Sequence, residues 1–228
     1  MYLASWSGGK DSCFACYLAI KNGMTVSRLV HFDRPFNLHG VSAEMIKLQA
    51  ELAGIPLIQK KVEQENFEHE FKETVGAFAK NGTRGVVFGD IYLEPHKEWV
   101  DRVCGELGLE AVEPLWGMST EKILEDFLEQ GFETIIASCR EECIGKEWVG
   151  RRVDDEFIRY LKSRGLDVCG ENGEYHTFVI GGPLFKGIIN ITKAGVTSRQ
   201  GHWFLEVKDF SVRRDHEGGD RTARVNAQ

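Results

Sequence analysis

The chain has 228 residues, with 28 Lys and Arg against 35 Asp and Glu, a formal charge of −7. A chain of this length buries roughly 70% of its unfolded surface without a disulfide or metal staple, and 14 Phe and 5 Trp exclude disorder throughout. Residues 1–120 carry 12 basic and 16 acidic side chains and residues 121–228 carry 16 and 19, so neither half is cationic and nucleic acid is demoted as a partner. No run of about 18 apolar residues exists, and no basic region followed by an apolar stretch opens the chain. No membrane partner is therefore expected, and the expected compartment is the cytoplasm.

In the first half, short apolar runs alternate with amphipathic stretches. Residues 2–6 read as a buried strand and 11–22 as a helix stopped by Gly23. A strand follows at 26–32, then a helix at 42–53 with Ser42 as N-cap and Gly54 as terminator. Residues 57–60 read as a strand, and 67–80 as a helix with apolar residues at 67, 71, 75 and 78. The run 85–88 suits an interior parallel strand, and a helix at 96–107 closes at Gly108. This alternation predicts an α/β fold, a parallel sheet with helices on both faces. Ligands in such folds bind beyond the carboxyl ends of the strands, which directs attention to the loops after Trp6, Phe32 and Phe88.

The second half has another rhythm. Helices are predicted at 120–130 and 154–163, and strands at 134–138, 177–180, 187–192 and 203–209. That pattern gives a smaller α+β domain with antiparallel pairing. The boundary falls near 115–119, dividing the chain into 1–118 and 119–228. The tail from about residue 213 is polar and reads as a poorly ordered terminus.

Six Cys stand at 13, 16, 104, 139, 143 and 169, and are expected as reduced thiols. Cys13 and Cys16 have metal or redox spacing, and Cys139 and Cys143 make a second pair. Helical spacing beside Ala15 and Ala19 favours packing for the first pair, packing is favoured for the second pair as well, and no metal site is expected.

The richest segment is Ser5-Trp6-Ser7-Gly8-Gly9-Lys10-Asp11-Ser12, which joins a strand to a helix. Two glycines allow a tight turn, the helix N-terminus adds positive potential, Ser7 and Ser12 offer hydroxyls and Lys10 a point charge. Together they form an anion cradle. The pattern is neither G-x-x-x-x-G-K-[ST] nor G-x-G-x-x-G. Ser-Gly-Gly-x-Asp-Ser is similar to the pyrophosphate loop of the ATP pyrophosphatase superfamily. The resemblance implies a Rossmann-like sheet of the HUP type, ATP and Mg²⁺ as cofactors, and cleavage of ATP between its α and β phosphates. On it, Ser7, Gly8, Gly9, Lys10, Asp11 and Ser12 hold the nucleotide, with His31, Phe32, Gly89 and Asp90 at the ends of two further strands.

Other motifs narrow the family. They are Pro114-Leu115-Trp116, Gly145-Lys146-Glu147-Trp148-Val149-Gly150-Arg151 and Cys169-Gly170-Glu171-Asn172-Gly173-Glu174-Tyr175-His176-Thr177. With the glycine loop, this combination resembles the diphthine–ammonia ligase family over residues 1–184. The resemblance implies amidation of diphthine on translation elongation factor two, with ATP spent as AMP and pyrophosphate and ammonia as nitrogen donor. Lys10, Asp11, Glu171 and Glu174 are then the catalytic candidates. His39, Gly40, Trp148, Gly170, Glu171, Asn172, Gly173, Glu174 and Tyr175 are the candidates for the acceptor. Diphthine carries a quaternary ammonium, and carboxylates with aromatic faces hold such a cation, which assigns Glu171 and Glu174 to it or to ammonia. Asn172 stands where a second Gly is common, and His176 where an acid is common. The acceptor is accordingly open between diphthine on the elongation factor and another, small carboxylate.

Two rival readings use the same loop. RNA thiolation needs a reactive Cys pair and a basic surface, and a non-catalytic nucleotide-binding module would only hold ATP. Residue 2 is Tyr and not the Cys of a glutamine-dependent amidase, so ammonia is expected free or delivered. A homo-oligomer is left open.

Overall fold

The computed structural model describes residues 1–35, 40–214 and 223–225. In chain order the elements are β1 (Tyr2–Ser5), α1 (Lys10–Lys21), β2 (Val26–Asp33), α2 (Ala43–Ala53), β3 (Leu57–Lys61), α3 (Phe67–Ala79), β4 (Gly85–Val87), α4 (Glu94–Glu106), β5 (Glu110–Val112), α5 (Thr120–Glu129), β6 (Glu133–Arg140), α6 (Asp155–Ser163), β7 (Tyr175–Gly181), β8 (Gly187–Arg199), β9 (His202–Arg214) and β10 (Ala223–Val225). They fall into two compact units. The first holds Met1–Ser7, Asp11–Asn37 and Ile55–Met118; the second holds Gly8–Lys10, Leu38–Gly54 and Ser119–Gln228.

The first unit is a five-stranded parallel sheet in the order β3-β2-β1-β4-β5. Its strands are short and apolar: Leu3, Val30 and Val86 are buried and pack with Phe71 and Val75 of α3 and with Val100 and Val103 of α4. Period-3.6 placement of those apolar residues makes the helices cover the sheet. The strand order reverses at β1, which has β2 on one side and β4 on the other. That is the switch point where α/β sheets open a crevice, and the loops after β1 and β4 flank it. Charged residues of α3 and α4 cross-link on the surface. Glu68 meets Lys72 at 2.5 Å and Arg102 at 2.6 Å, and Glu106 meets Lys72 at 2.6 Å and Arg102 at 3.0 Å.

The second unit is antiparallel, with strand order β10-β9-β6-β7 and β8 paired to β9 as a long hairpin. Helices α5 and α6 are capped by Ser119 and Asp154, whose side chains accept from Lys122 N and Phe157 N. The aromatic core is dense: Trp148 lies 5.0 Å from Phe157 and 4.8 Å from Tyr160, and Phe157 meets the edge of Tyr175 at 5.0 Å. Strands β8 and β9 run well beyond the apolar stretches expected at 187–192 and 203–209, because a hairpin ladder continues through polar residues once its register is set. Within the tail read as poorly ordered, Ala223–Val225 forms β10 against Phe210–Val212.

All six cysteines are thiols; Cys143 is half-buried and the other five are buried. Burial pushes the Cys16 and Cys139 thiols up to about 12 and that of Cys104 to about 11, and raises Cys13 as well. Among the described residues, no helix is long and apolar enough to cross a membrane.

Candidate active site

In the first unit the chain leaves β1 at Ser5 and re-enters it in the first turn of α1. The Ser12 hydroxyl accepts from Ser7 N at 3.3 Å and lies 3.1 Å from the Ser7 hydroxyl, which ties the two ends of loop 7–12 together. The acidic Asp11 in the first turn complements the helix N-terminus. Gly89, just past β4, presses on that turn: a Cβ there would stand 2.7 Å from Asp11 C and Ser12 N. The glycine therefore serves the close approach of β4 to α1. Asp90 beside it accepts from His96 Nδ1 at 3.1 Å.

The two strand-end residues of β2 have opposite fates. Phe32 turns into the core, 5.5 Å from Phe67 and 5.7 Å from Phe71. His31 is 4% exposed, and its Nδ1 lies 2.7 Å from the Trp6 carbonyl, an acceptor only, so Nδ1 carries the proton. Its Nε2 is buried with no hydrogen-bond partner among the described residues. Burial holds the imidazole below its ordinary value of 6.5, against the opposing pull of the Trp6 bond, so the ring is neutral at pH 7.

In the second unit, Gly8–Lys10 lies along the outer edge of β7. Gly8 has φ +82°, and its carbonyl accepts from Val179 N at 3.0 Å. A Cβ on Gly8 would come within 2.5 Å of Ile46 Cδ1 and 2.8 Å of Gln49 Oε1. Lys10 N donates to Thr177 Oγ1 at 3.0 Å. Lys10 is only 3% exposed; its ammonium donates to the Cys169 carbonyl and stands 5.4 Å from the Tyr175 ring centroid. An ammonium this deep requires such acceptors and a ring face.

The Cys169 carbonyl is fixed by loop 167–174. Asp167 Oδ1 accepts from Cys169 N at 2.9 Å and Glu171 N at 3.2 Å, and Asp167 Oδ2 accepts from the Thr120 hydroxyl at 2.9 Å. Glu174, 5% exposed, accepts from Asp167 N at 3.3 Å, Asn172 N at 3.0 Å and Asn172 Nδ2 at 3.2 Å. Gly170 has φ +76° and no room for a Cβ, which would sit 2.8 Å from Tyr175. Gly173 has φ +80° and is covered by the Arg140 guanidinium, which donates to Asn172 O at 2.7 Å. Tyr175 donates its hydroxyl to Val168 O at 2.6 Å.

The structure thus brings Lys10, Gly170, Glu171, Asn172, Gly173, Glu174 and Tyr175 into one neighbourhood of the second unit. Trp148 is set apart in the aromatic core, 6% exposed, with the Arg151 guanidinium 4.3 Å from its ring centroid. Gly40 has φ +64° and abuts Phe204, while His39 lies outside the described residues. Sequence reasoning missed Gln49, Thr120, Asp167 and Thr177. Gln49 did leave a signal, as a polar residue on the apolar face formed by Met45, Ile46, Ala50 and Leu52. A cleft of about 560 Å³ also opens over β8, rimmed by Arg151, Arg152 and Lys193. Glu156 and Glu133 pair with its two arginines at 2.7 and 2.6 Å, which blunts its positive charge.

Residues 2–111 match the model of the diphthamide synthase N-terminal domain, and residues 119–217 that of the diphthamide synthase C-terminal domain. A diphthine–ammonia ligase of Schizosaccharomyces pombe is 28% identical over 212 residues, 82% of this chain and 35% of that protein. Those of Bos taurus and Homo sapiens are each 25% identical over 230 residues, 88% of this chain and 86% of theirs. Among solved structures, a predicted subunit of tRNA methyltransferase from Methanocaldococcus jannaschii is similar at a TM-score of 0.44 and 16% identity, over 80% of this chain and 97% of that one. With both halves matched in order along one chain, the protein belongs to the diphthine–ammonia ligase family of C–N bond-forming ligases.

Proposed function

We propose that this chain adenylates a carboxylate with ATP and passes the acyl group to ammonia, with diphthine on translation elongation factor two as the acceptor. The carrying observation is the bond from the Lys10 ammonium to the Cys169 carbonyl, which joins the lysine of the glycine loop to the segment 169–177. Family membership and the ATP dependence of that family support the nucleotide half.

In this reading, Ser7, Gly8, Gly9, Lys10, Asp11 and Ser12 take the outer phosphates of ATP, through backbone N–H groups, hydroxyls and the lysine charge. His31 Nε2, Gly89 and Asp90 serve the nucleoside end, and Mg²⁺ would arrive with ATP and meet Asp90. A carboxylate resists ammonia because it is anionic and has no good leaving group. Its oxygen attacks the α phosphorus, the bond to the β-phosphate oxygen breaks, and pyrophosphate leaves. Ammonia then attacks the acyl carbon, AMP departs, and the surplus proton passes to a base. Glu171 and Glu174 are the carboxylates we assign to that proton or to the cationic part of diphthine; Glu174 also accepts from three N–H groups. Trp148 and Tyr175 then support the loop from within.

The RNA-thiolation reading is disfavoured by the thiols: Cys13 and Cys16 are fully buried and raised, the reverse of a reactive pair. The test is mass spectrometry of elongation factor two from cells lacking the protein, joined to turnover with ¹⁵N-ammonia in vitro. Accumulated diphthine, with AMP and pyrophosphate released as ¹⁵N enters the amide, is the expected outcome. Release of ADP would overturn the mechanism, and unchanged diphthamide would move the acceptor to another carboxylate.

A further inference from the structure

Gln49 is completely buried on α2, and its side-chain amide spans two backbone carbonyls. Nε2 donates to Gly8 O at 3.0 Å and to Val179 O at 2.7 Å. Both partners only accept, so the NH₂ end of the amide must face them. The Gly8 carbonyl also receives the Val179 N–H at 3.0 Å, so it is held twice. Ile46, one turn before Gln49, closes the space beside the glycine.

A trans peptide points the C=O of one residue and the N–H of the next in opposite directions. Fixing the Gly8 carbonyl against Gln49 and Val179 therefore fixes the direction of the Gly9 N–H, the donor in the middle of the double glycine. We infer that Gln49 is a positioning residue of the phosphate loop: by holding Gly8 O it aims the Gly9 N–H at a phosphate oxygen of ATP. Gln49 itself touches no substrate. This rests on the assignment of ATP phosphates to loop 7–12 and adds the residue that orients them.

The test is calorimetric titration of the full chain with ATP, pyrophosphate and AMP, for wild type, Gln49→Met and Gln49→Glu. Met fills the same volume with no donor; Glu sets a carboxylate against two carbonyl oxygens. Expected is a loss of about tenfold in affinity for ATP and for pyrophosphate with Gln49→Met, the worth of one hydrogen bond to a charged group, and a larger loss with Gln49→Glu. AMP affinity should change less than twofold, a split that general unfolding would not give. Thermal unfolding of each variant is followed in parallel, and Gln49→Asn, which keeps the amide one methylene short, stands in should Met fail to fold. Unchanged pyrophosphate affinity in a folded variant, or equal loss for all three ligands, overturns the role of Gln49. A wild type that bound neither ATP nor pyrophosphate would overturn the phosphate assignment along with it.

Discussion

On the surface of α3 and α4, Glu68, Lys72, Arg102 and Glu106 make four close ion pairs, whereas the Lys10 ammonium, deep in the second unit, is held by a backbone carbonyl and a ring. The surface network has more charges and more ion pairs, yet water competes for every one of them, so its net worth is small. Around Lys10 the accepting carbonyl belongs to the main chain and cannot leave, and an unmade bond there would go unsatisfied. The count of polar contacts is thus a poor guide to which of them matter; what decides is whether solvent can replace the partner.

Four tests sharpen that contrast. Gly8→Ala should act most strongly, since φ +82° and a Cβ 2.5 Å from Ile46 force the loop to move. We expect a cost of about 1–3 kcal/mol with ATP binding lost, read by chemical denaturation and titration. Next comes Glu174→Gln, which turns an NH₂ toward N–H donors now bound by carboxylate oxygens. Stability should fall by about 1–3 kcal/mol, while Glu171→Gln should slow amide formation with a smaller change in midpoint. Equal midpoints for the two variants would contradict the holding role of Glu174.

A pH dependence is the third. The folded-state value of His31 lies below its ordinary 6.5, so between the two the unfolded chain binds more protons. Stability is full above pH 6.5 and declines as pH falls toward the folded-state value. A thermal-melt series on His31→Gln should therefore be flatter than wild type below about pH 6.5; parallel curves would remove His31 as the cause. Glu68→Gln should do least, with a small drop in midpoint that disappears as salt is added. A drop that persisted in high salt would erase the distinction drawn between the two regions.

Much of the architecture was legible because local rules and tertiary packing agreed. Ser42, Ser119 and Asp154 cap helices close to where side-chain chemistry predicts, and the apolar spacing of Phe67, Phe71 and Val75 marks α3. The short strand β5 was not legible, because Glu110-Ala111-Val112 carries too little apolar signal and is drawn into the sheet by pairing with β4. In the candidate site, the glycine loop announces itself by motif. The environment of Lys10 does not, since Cys169 contributes a carbonyl that every residue type possesses. Phe32 and Trp148 show the complementary limit, because a sequence displays aromatic rings without showing which of them the core consumes.

The cysteine arrangement has a practical side. Five thiols are shut away from solvent and raised or enclosed, while Cys143, in the turn after β6, is partly open. A maleimide fluorophore added to the native protein should therefore attach at that single position. The turn sits on the Arg140 backbone, and Arg140 reaches Asn172 in loop 167–174. The wild-type chain thus carries its own attachment point for an optical reporter beside the loop, ready for stopped-flow tests of the proposed acceptor site without any engineered residue.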